Sequence, residues 1–374
     1  MKKTVVPESW AIALSETIMK RNPGTPQDRL AHWGYVMGYT LNGLEMVALS
    51  TGEQRYWDFI QKVIDRFIDE KGNFTAGVRL ESLDNVIPGN IVVGLYERTG
   101  DERYRTAAGI IRRAFDSFPR NRDGGFWHNL KLTGEMWIDG VFMGAMPLLR
   151  YAKSIGDAAH CFDEVVKQIT VFAGHCLKGN SGLYYHAWAE QPELPLVNGK
   201  HWADPETGLS REVWSEGLGW YALILAETLA VLPKNHPRRS EVLDIYLRLA
   251  AGLRYTQDRV SGCWFQVVDK GSNPDNWTDN SGSAMFTYSI QKGIEMGLLD
   301  SREFALVVKR GYAGIVANAQ INNAGLLDIY SACQGLGVQA NYSDYINFPK
   351  SVNANEAVAG FLWATALIEK PGSK

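Results

Sequence analysis

Two kinds of helical pattern alternate along the chain. One is amphipathic, with apolar residues three and four apart and charges on the opposite face: "TGEQRYWDFIQKVIDRFI" (51–68), "TGDERYRTAAGIIRRAF" (99–115), "IGDAAHCFDEVVKQITVF" (155–172), "PRRSEVLDIYLRLAAGL" (237–253) and "LDSREFALVVKRGYAGIV" (299–316). The other is small and apolar on nearly every side: "DNVIPGNIVVGLYE" (84–97), "MWIDGVFMGAMPLL" (136–149), "WSEGLGWYALILAETLAVL" (214–232), "SGSAMFTYSIQKGIEMGLL" (281–299) and "NEAVAGFLWATALIE" (355–369). With "ESWAIALSETIMK" (8–20) and "HWGYVMGYTLNGLEMVAL" (32–49), the pattern predicts twelve helices in six pairs. A helix that is apolar all round belongs inside, and one with a charged face belongs outside. The simplest closure is an all-α (α/α)6 barrel of six helical hairpins, spanning 1–374 as a single domain. An open solenoid of helix pairs is the competing architecture. Glycines of the inner set, such as Gly34, Gly38, Gly140, Gly144, Gly217 and Gly219, are costly in an isolated helix but allow close packing around a crowded axis.

The connections carry a second repeat. Each outer helix is followed by a glycine and then apolar, mostly aromatic residues: "KGNF", "GGFWHN", "SGLYYHAW", "SGCWFQVV" and "AGLLDIY". In a closed barrel all of these gather at the rim where the inner helices begin. The largest insertion, "AEQPELPLVNGKHWADPETGLSREVW" (189–214), joins them there. That rim is where function is expected.

Composition narrows the classes. Hydrophobic residues at 45% and charged residues at 21% describe a globular protein with ample core. A net charge of −3 without clustered Lys and Arg argues against nucleic acid or a membrane surface as partner. No run approaches the roughly 18 apolar residues of a membrane helix. The opening "MKKTVVPESWAIALSETIMKRNPG" is interrupted by Glu8, Ser9 and Glu16, so a cytoplasmic protein is expected. Cys161, Cys176, Cys263 and Cys333 are widely spaced and suggest neither disulfides nor zinc. No cofactor is implied, and the oligomeric state is open.

The polar residues on the expected rim are Asp84, His128, Asp139, His186, His201, Asp204, Arg211, Glu216 and Asp279. Their aromatic neighbours are Trp33, Tyr35, Trp127, Trp137, Tyr185, Trp188, Trp202, Trp214, Trp220 and Trp277. Tryptophan beside carboxylates suits a sugar, whose C–H faces stack on indole while its hydroxyls bond to charged groups. Asp139 stands out, because it falls in the first turn of an otherwise apolar inner helix, where ionisation requires partners or the helix dipole. Asp84, ahead of Pro88, equally suits a loop or capping role. His128 and His186 each flank an aromatic residue and equally suit structural hydrogen bonding. Together they lack a metal-ligand motif. For Trp214 and Trp220 the plain alternative is core packing.

The segments "LDNVIPG", "GGFWHN", "MWIDGVFMGAMPLLRYAK", "GLYYHAW", "VWSEGLGWY" and "SGSAMFTYSIQKGI" resemble, in order and spacing, glycoside hydrolase family 105, the unsaturated rhamnogalacturonyl hydrolases. The unsaturated glucuronyl hydrolases of family 88 are cousins, and the resemblance runs from about residue 30 to the C-terminus. It implies an oligosaccharide substrate left by a polysaccharide lyase, with a C4=C5 unsaturated uronic acid at its non-reducing end. It implies Asp139 as the catalytic carboxyl and Asp84 as the second aspartate. Its histidines correspond to His128 and His186, and its indoles to Trp214 and Trp220. Tyr35, Trp137, Arg211 and Glu216 complete the expected substrate-binding set. Relatives commonly carry arginine where this chain has Glu216, so Arg211 is expected to hold the substrate carboxylate, with Glu216 accepting from sugar hydroxyls. Two other classes fit the residues: an (α/α)6 sugar 2-epimerase using His128 and His186 as acid and base, and a non-catalytic carbohydrate-binding barrel.

Overall fold

A computed structural model describes residues 6–372; residues 1–5 and 373–374, which the single-domain expectation includes, lie outside the described residues. The helices are α1 (Trp10–Arg21), α2 (Tyr35–Thr51), α3 (Gln54–Ile64), α4 (Gly89–Thr99), α5 (Glu102–Ala114), α6 (Ile138–Ser154), α7 (Ala158–Cys176), α8 (Ser215–Val231), α9 (Arg239–Thr256), α10 (Asn280–Glu295), α11 (Ser301–Ala317), α12 (Tyr342–Ile346) and α13 (Asn355–Glu369). Leaving aside the short α12, the twelve that remain are the predicted six pairs.

The inner helices α2, α4, α6, α8, α10 and α13 pack each against the next, and α13 packs back on α2. This closed ring excludes the open solenoid. Outside it, α3, α5, α7, α9 and α11 each lie on the inner helix that precedes them, while α1 lies on α13. Their charged faces reach water and their apolar faces cover the ring, as the amphipathic pattern requires. The seam between the two ends of the chain is held by the Glu369 carboxylate. It accepts from Ser9 Oγ at 2.6 Å, from the α1 amides of Trp10 and Ala11 at 3.2 Å, and from Tyr312 Oη at 2.6 Å.

The two rims differ as expected. At one, tight turns such as Gly52 (φ 73°) and Gly100 (φ 70°) end α2 and α4 in left-handed caps, a conformation glycine adopts without strain. At the other, the long connections lead into the inner helices and are stitched into a collar. Leu83 N–H donates to His128 O, Ile138 N–H to His186 O, His186 N–H to Glu212 O, Ser215 N–H to Gln266 O and Asn280 N–H to Ser331 O. Short antiparallel ribbons, such as Glu135–Trp137 with Ala187–Ala189, lie within these connections. They satisfy backbone groups that extended segments leave open. Among the described residues no helix is long and apolar enough to cross a membrane.

Candidate active site

The inner helices present their second residues to the collar in a regular way: Asp139 on α6, Glu216 on α8, Ser281 on α10 and Glu356 on α13. Side chains at a helix start lean toward its N-terminus, so these groups converge at the mouth of the barrel. There Asp139 and Glu216 border a cavity of about 160 Å³. Asp139 and Glu216 form its carboxyl wall together with Asp84, from the turn Leu83–Asn85. Trp137, Trp220, Tyr35 and Met143 supply the apolar surface, and His128 the imidazole. Gly335, Leu336 and Gly337, from the connection before α13, complete it. Apolar faces with a few convergent polar groups are the mixed lining of a small-ligand site.

Asp139 keeps 9% of its surface exposed, yet its Oδ2 lies 3.1 Å from His186 Nε2. The opposite ring nitrogen of His186, Nδ1, is 2.8 Å from Tyr345 Oη, and that oxygen also accepts from Gln339 N–H at 3.2 Å. Tyr345 therefore has its own hydrogen free to donate to Nδ1, which leaves the Nε2 hydrogen aimed at Asp139. The result is a buried relay, Tyr345 to His186 to Asp139, that fixes one face of the carboxyl and leaves the other toward the cavity.

Trp137 directly precedes α6, and its ring stacks on His128 with centroids 4.4 Å apart and planes 11° off parallel. Its Nε1 donates to Glu135 at 2.8 Å. His128 Nε2 lies 3.4 Å from Asp84 Oδ2. Burial works against a charge on His128, but the Asp84 carboxylate and its hydrogen bond outweigh it and raise the imidazole above its ordinary value. On its other edge the ring sits against Gly140, where an added Cβ would come within 3.1 Å of Nδ1.

Glu216 is 2% exposed and accompanied by Glu356, which accepts from Tyr35 Oη at 2.5 Å and Gly335 N–H at 3.1 Å. Burial, then the charges of Glu356, Asp279 and Asp139, push the Glu216 carboxyl well above the usual carboxylate range. Burial also raises Glu356 and Asp279.

Of the expected site residues, Tyr35, Asp84, His128, Trp137, Asp139, Glu216 and Trp220 come together at the cavity. Three do not line it, which corrects the sequence reading. His186, with no exposed side-chain surface, sits behind Asp139. Trp214 packs behind His186, their ring centroids 4.5 Å apart. Arg211 is exposed and paired with Asp204 at 3.0 Å, so among the described residues no arginine or lysine lines the cavity. A His128–His186 acid and base pair across a substrate is therefore not what the geometry offers. Some rim tryptophans hold loops: Trp33 Nε1 donates to Asn85 O and Trp277 Nε1 to Ile346 O. Sequence reasoning missed Glu356, Tyr345 and the Gly335–Gly337 wall. Glu356 had a signal, the same helix position as Asp139 and Glu216.

Comparison with known proteins gives the fold and site a lineage. The family model described as Glycosyl Hydrolase Family 88 matches residues 10–370. The solved structure of a family 105 glycoside hydrolase from Clostridium acetobutylicum (C. acetobutylicum ATCC 824) superposes with a TM-score of 0.89 at 32% identity, covering 97% of this chain and 99% of that one. The unsaturated rhamnogalacturonyl hydrolase YesR of Bacillus subtilis is 24% identical over 86% of this chain and 90% of its own. Protein Atu3128 of Agrobacterium fabrum is 31% identical over 36% of this chain, which spans 55% of that relative's length. A closed six-hairpin barrel with carboxyls at its mouth, matched along nearly its whole length, makes this chain a glycosidase of the glycoside hydrolase family 88 and 105 group.

Proposed function

We propose that this glycosidase removes a 4,5-unsaturated uronic acid from the non-reducing end of lyase-generated oligosaccharides, of the unsaturated rhamnogalacturonyl type, by hydrating the C4=C5 bond. The observation that carries the reading is Asp139, a carboxyl open to the cavity on one side and fixed by His186 on the other. The likeness to YesR supports the substrate class.

In this reading the protonated Asp139 gives its proton to C4, and positive charge develops at C5 and the ring oxygen. Water then adds at C5, and the Asp139 carboxylate takes the proton that water releases. The hemiketal so formed opens to a ketone at C5; C1, now a hemiacetal, expels the neighbouring sugar. No group displaces the aglycone directly, so the carboxylate spacing that separates retaining from inverting glycosidases has no bearing. Trp137 and Trp220 offer apolar faces to the ring. The His186 N–H steadies Asp139 as its charge changes. Asp84 and His128 form a polar edge suited to orienting hydroxyls and water.

Turnover in deuterated water tests this. Hydration places a deuteron at C4 of the first-formed product, visible by NMR. Cleavage that leaves the C4=C5 bond intact would overturn the mechanism.

A further inference from the structure

Glu216 sits among buried carboxyl groups that each raise the cost of ionising it. Facing Glu216 are Glu356 from α13, Asp279 at the start of α10, Asp139 from α6, Tyr35 and Tyr39 from α2, and Cys333 from the last long connection. The positive charge nearby, Arg29, acts on Glu356.

Hydrogen-bond counting locates the proton. Asp279 caps α10, taking the amides of Ser281 at 3.2 Å and Gly282 at 2.7 Å, and Ser281 Oγ lies 2.8 Å from its Oδ2. Glu356 takes Tyr35 Oη and Gly335 N–H. Among the described residues the Glu216 carboxyl has one hydrogen-bond partner, Ser281 Oγ at 3.0 Å from its Oε2. A serine hydroxyl carries one hydrogen. Ser281 Oγ lies nearer both Asp279 oxygens, at 2.9 and 2.8 Å, than Glu216 Oε2, and with its hydrogen on Asp279 the contact to Glu216 closes with Glu216 as the donor.

We infer that Glu216 is an uncharged acid that donates its O–H to Ser281 and turns its remaining oxygen to the cavity as a neutral acceptor for a sugar hydroxyl. It is then a specificity-determining group of the cavity, and it lets an anionic sugar approach this wall without a charge at position 216 opposing it. The raised affinity of Glu216 for its proton agrees with this. The hydroxyl assignment rests on the reading of this cavity as the substrate site.

Two measurements on the full chain test it. The first is the infrared difference spectrum of wild type minus Glu216→Gln at neutral pH, which must contain the C=O band of a protonated carboxyl. Its absence would overturn the inference whether or not the enzyme turns over any unsaturated uronide. The second compares KM for an unsaturated disaccharide. The amide of Glu216→Gln keeps both the carbonyl and a donor to Ser281, so its KM should stay close to wild type, whereas Glu216→Ala should raise KM about tenfold, the loss of one net hydrogen bond. Equal KM losses in the amide and alanine variants, at unchanged thermal stability, would overturn the hydroxyl assignment. A chain that processes no unsaturated uronide would remove the proposed function and the hydroxyl assignment with it, while the infrared band would still decide the charge of Glu216.

Discussion

At the scale of single residues, Asp139 depends on groups that never meet the cavity. Removing the Tyr345 hydroxyl leaves His186 Nδ1 without its donor and frees the imidazole to take the wrong tautomer. Tyr345→Phe should therefore lower kcat about tenfold with KM little changed, one hydrogen bond's worth of positioning; a change confined to KM would speak against the relay. His128 gives a pH-dependent prediction. Its raised pKa means that its pairing with Asp84 stabilises the fold below the ordinary imidazole value and that this contribution is lost as pH rises through the folded value. In Asp84→Asn the NMR titration midpoint of His128 should fall, and an unchanged midpoint would contradict the pairing. Asp139, Glu216 and Trp137 were legible in the sequence because an inner-helix start fixes where a side chain goes. Arg211 and His186 were not, because a loop residue adjacent in sequence to the site can turn either way, and only the Asp204 and Asp139 contacts decide it.

At the scale of elements, the helices were readable because periodicity is a local signal that repeats over many residues. The collar was not. Its ribbons are two or three residues long, too short to show an alternation, and the one joining Glu135–Trp137 to Ala187–Ala189 pairs residues far apart along the chain. The same limit hid Tyr345, which arrives on α12, beyond the "AGLLDIY" segment and outside either repeat. Inner-helix glycines were read as close-packing positions, and Gly282 shows how close: an added Cβ would lie 2.2 Å from Ser215 Oγ and 2.6 Å from the Ser215 carbonyl. Gly282→Ala must push α10 away from α8 beside the carboxyl floor. A loss of about 3 kcal/mol in urea unfolding is expected, at the upper end of overpacking costs, with activity falling in the folded fraction as well. Wild-type stability in this variant would show that the two helices are not in contact there.

At the scale of the whole molecule, the inner ring closes where α13 packs back on α2, and the first helix docks on the last from outside. Glu369 holds that seam by capping α1. Glu369→Ala should cost about 2 kcal/mol, the range for charge-assisted hydrogen bonds, and leave kcat unaltered because the seam lies at the far end of α13 from the cavity. The closed barrel in turn brings α6, α8, α10 and α13 to one mouth, where four consecutive inner helices contribute a polar second residue. What that mouth does is decided most directly by following the ultraviolet absorbance of the conjugated C4=C5 bond in lyase-generated disaccharides, with wild type and Asp139→Asn side by side. Wild type should consume the absorbance, and the asparagine variant, folded but unable to give or take the proton, should do so at least about a thousandfold more slowly. Release of the sugar with the absorbance intact, or substantial turnover by Asp139→Asn, would contradict hydration through Asp139.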